Sequence, residues 1–98
     1  MTIDPKLKND ISAIALKHIN PNETKVFIFG SRVSGTNVKF SDIDLGFESD
    51  KKIPYNLIMD IEDDFENSNI PYSVDVVDFS KVSNKFKEVA MKNIMYLN

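Results

Sequence analysis

Ninety-eight residues supply one domain's worth of chain, with 15 acidic and 12 basic side chains, a net charge of −3 and no cysteine. That length supports one core without covalent staples, and the lack of cysteine excludes disulfides and thiolate metal sites and fits a reducing cytoplasm. No apolar run nears the ~20 residues of a membrane span, "MTIDPKLKND" lacks the basic-then-apolar order of a secretory signal, and a mildly acidic chain with scattered lysines is a poor coat for nucleic acid.

Asp4-Pro5 reads as an N-cap followed by proline at the first helical position. Leu7, Ile11, Ile14 and His18 then recur at helical spacing, and Asn20-Pro21-Asn22 stops the run. "KVFIFG" (Lys25–Gly30) is short, apolar and rich in β-branched and aromatic residues, which predicts a buried strand. Ser31-Arg32-Val33-Ser34 predicts the first turn of a short helix, with Gly35 leading out of it. "SDIDLGFE" alternates strictly and predicts a second strand. Pro54 opens a second long helix with Ile58, Ile61 and Phe65 on one face, and "IPYSVDVVDF" gives a third strand after Pro71. Ser83 caps a last helix carrying Phe86, Val89, Ala90, Ile94 and Leu97 on one side. The expected fold is therefore α/β (α+β): a small mixed sheet flanked by helices, in the order α-β-(short α)-β-α-β-α, forming a single domain over 1–98.

All three glycines and the one arginine fall between Phe27 and Phe47. On the alternating strand, residues two apart point the same way, roughly 6.6 Å apart. Ile43, Leu45 and Phe47 form the buried face, so Asp42, Asp44 and Gly46 form the other, with Gly46 leaving room for a ligand against the backbone. Asp75 on the third strand joins them if the two strands are neighbours. Three carboxylates so placed raise one another's pKa unless a cation sits between them, and all-oxygen ligands of this kind suit Mg²⁺. Taken alone, Asp-x-Asp is more simply a solvated sheet face. Gly30-Ser31-Arg32 pairs a flexible turn with a hydroxyl donor and a guanidinium, a combination that suits phosphate at a helix N-terminus; alone it is an ordinary capped turn.

Together, Gly30-Ser31, a ten-residue spacer, Asp42-Ile43-Asp44 and a later Asp75 strongly resemble the nucleotidyltransferase superfamily of DNA polymerase β type. The short chain and the "VDVVDF" strand are similar to its minimal nucleotidyltransferase (MNT) group, many of whose members resemble antitoxins paired with a HEPN-domain toxin. The resemblance covers nearly the whole chain and leaves no separate acceptor-binding domain. It implies two Mg²⁺ ions held by Asp42, Asp44 and Asp75, with ATP or another nucleoside triphosphate as substrate. Gly30, Ser31 and Arg32 would contact its phosphates, and Asp75 would help deprotonate the attacking hydroxyl. Nucleotide monophosphate, AMP for ATP, would pass to a hydroxyl, foremost a tyrosine of a cognate HEPN toxin. Neutralisation of the toxin by binding alone, or transfer to a small molecule or another protein, are the alternatives. An Asp-x-Asp glycosyltransferase is too large for this chain. Relatives often carry a second arginine where this chain has Ser34, so Lys39 is the candidate replacement and weaker triphosphate binding is expected. Neither a membrane nor nucleic acid is an expected partner.

Four smaller features have plainer readings. His18 is assigned to packing or helix C-terminal capping, and Asp78, an odd number of residues from Asp75, to a strand end or turn. Asp60, Glu62, Asp63, Asp64 and Glu66 read as a solvated helix face, with docking to a basic partner as the minority alternative. Met91 and Met95 fall opposite Phe86, Ala90 and Leu97 on a helical wheel and are candidates for an outward partner surface.

Overall fold

The computed structural model describes residues 3–30 and 42–98. The short helix expected at Ser31–Ser34, and with it Ser31, Arg32, Gly35 and Lys39, lies outside the described residues. Helix α1 (Pro5–Leu16) starts as its sequence dictates: Pro5 needs no N–H bond, and Asp4 Oδ1 accepts from the Lys6 amide at 2.8 Å. Strand β1 (Thr24–Phe29) follows, then β2 (Ile43–Ser49), α2 (Tyr55–Glu66), β3 (Val74–Asp78), α3 (Asn84–Ala90) and β4 (Ile94–Tyr96).

The sheet runs β3-β2-β1-β4. β1 is antiparallel to both β2 and β4, whereas β2 and β3 are parallel. A parallel pair cannot be closed by a tight hairpin, so α2 serves as the crossover. Its buried stripe is Ile58, Ile61 and Phe65, which seats it on the sheet. Ile11 and Ala15 of α1 pack into the same core with Val26, Ile28, Ile43, Leu45 and Phe47. The opposite face of the sheet carries a separate aromatic core of Phe27, Phe29 and Phe79, closed by Val82, Ala90, Met91 and Ile94.

The carboxyl-terminal segment departs from the sequence reading. A single helix was expected through Leu97, yet α3 stops at Ala90 and Ile94–Tyr96 forms a fourth strand. Two cores on opposite faces of the sheet account for the difference. Ile94 packs on the aromatic core while Met95 and Leu97 pack on the main one. An alternation of period two satisfies both faces, which a helix cannot do. Pairing with β1 (Phe27 with Tyr96, Ile28 with Met95, Phe29 with Ile94) satisfies an edge that would otherwise be open. Asn98 then clamps the strand end: its Oδ1 accepts from the Val26 amide at 2.8 Å and its Nδ2 donates to the Thr24 carbonyl at 2.8 Å. Met91 and Met95 are accordingly core-packed, and the outward partner face proposed for them is not theirs.

Candidate active site

Strand pairing brings the carboxylates together. In the parallel β2–β3 register Asp44 lies opposite Asp75, so both point to the same face across one strand spacing, about 4.8 Å. In the antiparallel β1–β2 register Phe29 lies opposite Asp44, and Gly30 follows at the strand end. Asp42, just before β2, is exposed, as is Asp75; Asp44 is half-buried between them.

Gly30 has φ +84°, in the left-handed region that side chains with a Cβ disfavour. A Cβ placed there would also run into the Asp44 carboxylate. The chain therefore passes over Asp44 with bare backbone at Gly30.

Burial holds the Asp44 carboxyl above the ordinary carboxylate value, and the negative charges of Asp75 and then Asp42 push it further in the same direction. The expected repulsion thus acts on Asp44. Among the described residues no set of three carboxylate or imidazole groups is already gathered as an assembled metal site. The donors nevertheless have the right chemistry for a hard cation such as Mg²⁺: hard oxygens, an excess of negative charge, and an open side toward solvent.

Gly46 differs from expectation. It shares the face of Asp44, but the space above it is filled by the aromatic core. A Cβ there would lie 2.7 Å from Phe27 Cζ and 2.7 Å from Phe79 Cε1. The glycine admits rings, not a ligand, and the reading of an open ligand floor at Gly46 is overturned. The signal was present in "KVFIFG", whose Phe27 and Phe29 share one strand face, but the partner ring Phe79 comes from beyond β3 and only the fold brings it over.

The remaining polar groups serve the scaffold. Asp78 Oδ1 accepts from the Ser80 amide at 2.9 Å and hydroxyl at 2.7 Å, a turn at the end of β3 as expected. Its other oxygen is buried without a hydrogen bond, 3.8 Å from Lys81 Nζ. His18 is a packing residue tied to the crossover helix: its Nε2 lies 2.5 Å from Asp64 Oδ2, which also meets Lys17 Nζ at 3.1 Å. One member of the acidic group on α2 is therefore an inter-helix tie, while Asp60, Glu62, Asp63 and Glu66 remain solvated.

Residues 9–97 match the family model described as "Polymerase beta, Nucleotidyltransferase". The chain belongs to that family. It is 34% identical over 77 residues to the probable protein adenylyltransferase MntA of Haemophilus influenzae, a match that spans 79% of this chain and 67% of the relative. Among solved structures, the fold resembles a chain of a toxin–antitoxin complex with AMP-PNP, with TM-score 0.76 and 21% identity over 93% of this chain and 72% of that one. It also resembles a chain from the complex of the tri-AMPylated HEPN toxin of Shewanella oneidensis with its MNT antitoxin, with TM-score 0.69 and 18% identity over 94% of this chain and 69% of that one. These structural likenesses establish the nucleotidyltransferase fold, a small mixed sheet flanked by helices.

Proposed function

We propose that this chain is a Mg²⁺-dependent nucleotidyltransferase that moves AMP from ATP onto a hydroxyl of a HEPN-domain toxin and so acts as its antitoxin in the cytoplasm. The observation that carries the reading is the Asp44–Asp75 pair, side by side on parallel strands beneath the positive-φ turn at Gly30. Membership of the nucleotidyltransferase family supports the reaction class. The 34% identity to a probable protein adenylyltransferase supports a protein acceptor, and likeness to chains of toxin–antitoxin complexes supports the partner.

In the transfer, the acceptor oxygen bonds to the α-phosphorus, the bond to the bridging oxygen breaks, and pyrophosphate leaves with its electron pair. Asp42, Asp44 and Asp75 would hold Mg²⁺, whose chemistry is to neutralise the triphosphate and the charge that develops on entering and leaving oxygens. Asp75 is exposed on the edge strand, where an approaching hydroxyl can pass it a proton. Asp44 is the fixed, half-buried charge at the centre of the site. Gly30 lets the chain turn closely over it, and Ser31 and Arg32 are assigned to the β- and γ-phosphates.

The direct test is an intact-mass spectrum of the adjacent-gene product after incubation with the chain, ATP and Mg²⁺. A gain of one or more AMP units that disappears with Asp42→Ala is the expected result. A tight complex without mass gain would replace catalysis by inhibition through binding alone.

A further inference from the structure

The two faces of α3 differ in a way the fold does not require. Its inner side, Ala90 and the adjoining Met91, closes the aromatic core, while Phe86 remains 44% exposed and Val89 61% exposed. Phe86 and Val89 stand three residues apart on α3, Lys85 lies one turn before Val89, and Lys92 lies in the turn just after the helix, its amide bonded to the Val89 carbonyl. The result is an apolar strip with a cation at each end.

Charge marks this strip as unusual for the chain. The protein is acidic, yet residues 81–92 carry four lysines, Lys81, Lys85, Lys87 and Lys92, and one acidic residue, Glu88. Lys81 is engaged by Asp78 and Lys87 by Glu48. Among the described residues, Lys85 and Lys92 make no ion pair.

The strip is also joined to the site. The Phe86 ring packs edge-on against Phe29 with centroids 6.2 Å apart, and Phe29 is the β1 residue in register with Asp44. α3 therefore lies on the same face of the sheet as Asp44 and Asp75. A macromolecule that delivers a hydroxyl to those carboxylates brings its neighbouring surface toward α3.

We infer that the strip formed by Lys85, Phe86 and Val89 of α3 and Lys92 of the turn after it is the docking surface for the protein acceptor, which would present an apolar side chain flanked by carboxylates. This rests on the transferase reading above. An acceptor of that chemistry covers the exposed valine and phenylalanine and neutralises Lys85 and Lys92, whereas two lysines on an acidic chain are too few to hold a nucleic acid. Charge complementarity of this kind acts chiefly on encounter and partner choice, and the apolar centre supplies the rest.

The test uses the whole chain carrying Val89→Asp, and separately Lys85→Glu with Lys92→Glu, none of which touches the core or the carboxylate site. Four quantities are measured: the unfolding midpoint, affinity for a fluorescent ATP analogue, affinity for a HEPN-domain toxin by calorimetry, and AMP transfer by mass. Both variants should keep the midpoint and the ATP-analogue affinity, lose at least about tenfold in HEPN affinity, and raise the acceptor KM with kcat unchanged. Wild-type HEPN affinity in both variants would overturn the proposal. Were wild-type protein to bind the HEPN protein without modifying it, the transferase reading would fall, while loss of that binding in the variants would still uphold the docking strip. Failure of wild type to bind it at all would overturn the proposal outright.

Discussion

Gly46→Ala separates two roles for the same glycine. The added Cβ would sit 2.7 Å from Phe27 Cζ and from Phe79 Cε1, about 0.8 Å short of the ~3.5 Å at which carbon atoms pack comfortably. Neither ring can swing away easily, since Phe27 is fully buried and Phe79 is 2% exposed. The two rings stack edge-to-face at 4.8 Å, and Phe79 also meets Phe29 at 5.1 Å. Overpacking of this kind costs about 1–3 kcal/mol, and two rigid rings place the cost in the upper part of that range. Replacing glycine in a strand returns about 0.5 kcal/mol of chain entropy. The net loss is therefore about 2 kcal/mol, which for a domain of this size lowers Tm by roughly 8–16 °C. Thermal and urea unfolding measure it, and Phe79→Leu in the Gly46→Ala background should recover part of the loss by vacating space. An unchanged midpoint combined with weaker binding of an ATP analogue would refute the packing argument and restore Gly46 as a ligand floor.

Two further predictions concern charge. Asp44→Asn should abolish transfer and yet raise Tm at pH 7 in EDTA, because a carboxyl whose pKa is raised on folding costs stability once the pH exceeds its ordinary value of 3.8; a lowered Tm would contradict the repulsion argument. In the opposite sense, His18 and Lys17 hold the Asp64 carboxyl below its ordinary value, so its contribution is present above about pH 3.9 and is lost as the pH falls through its lower native value. Asp64→Asn should accordingly be less stable than wild type at pH 6 and indistinguishable from it near pH 2, as read from urea midpoints; a difference independent of pH would remove the ionic tie between α1 and α2.

Much of this molecule was legible without coordinates because its signals are local. Asp4-Pro5 caps α1 through its own next turn, the 3.6-residue recurrence of Ile58, Ile61 and Phe65 marks α2, and strict alternation in "SDIDLGFE" sets Asp44 on the face opposite Leu45. The order of Gly30, Asp42, Asp44 and Asp75 also carried the resemblance to the family that the family model then matched. Other features depended on which strand lies beside which. The parallel register that sets Asp75 against Asp44 is a property of the crossover by α2, and no residue of β3 states its partner. Gly46 read as open space because its neighbours in sequence leave it bare; Phe27 of β1 and Phe79 from just beyond β3 reach it and fill it. "IMYL" has the composition of a helix end, and it becomes β4 because the sheet has two apolar faces to cover and an unpaired edge on β1. Sequence settled which residues could face which way; packing between distant segments decided what they face.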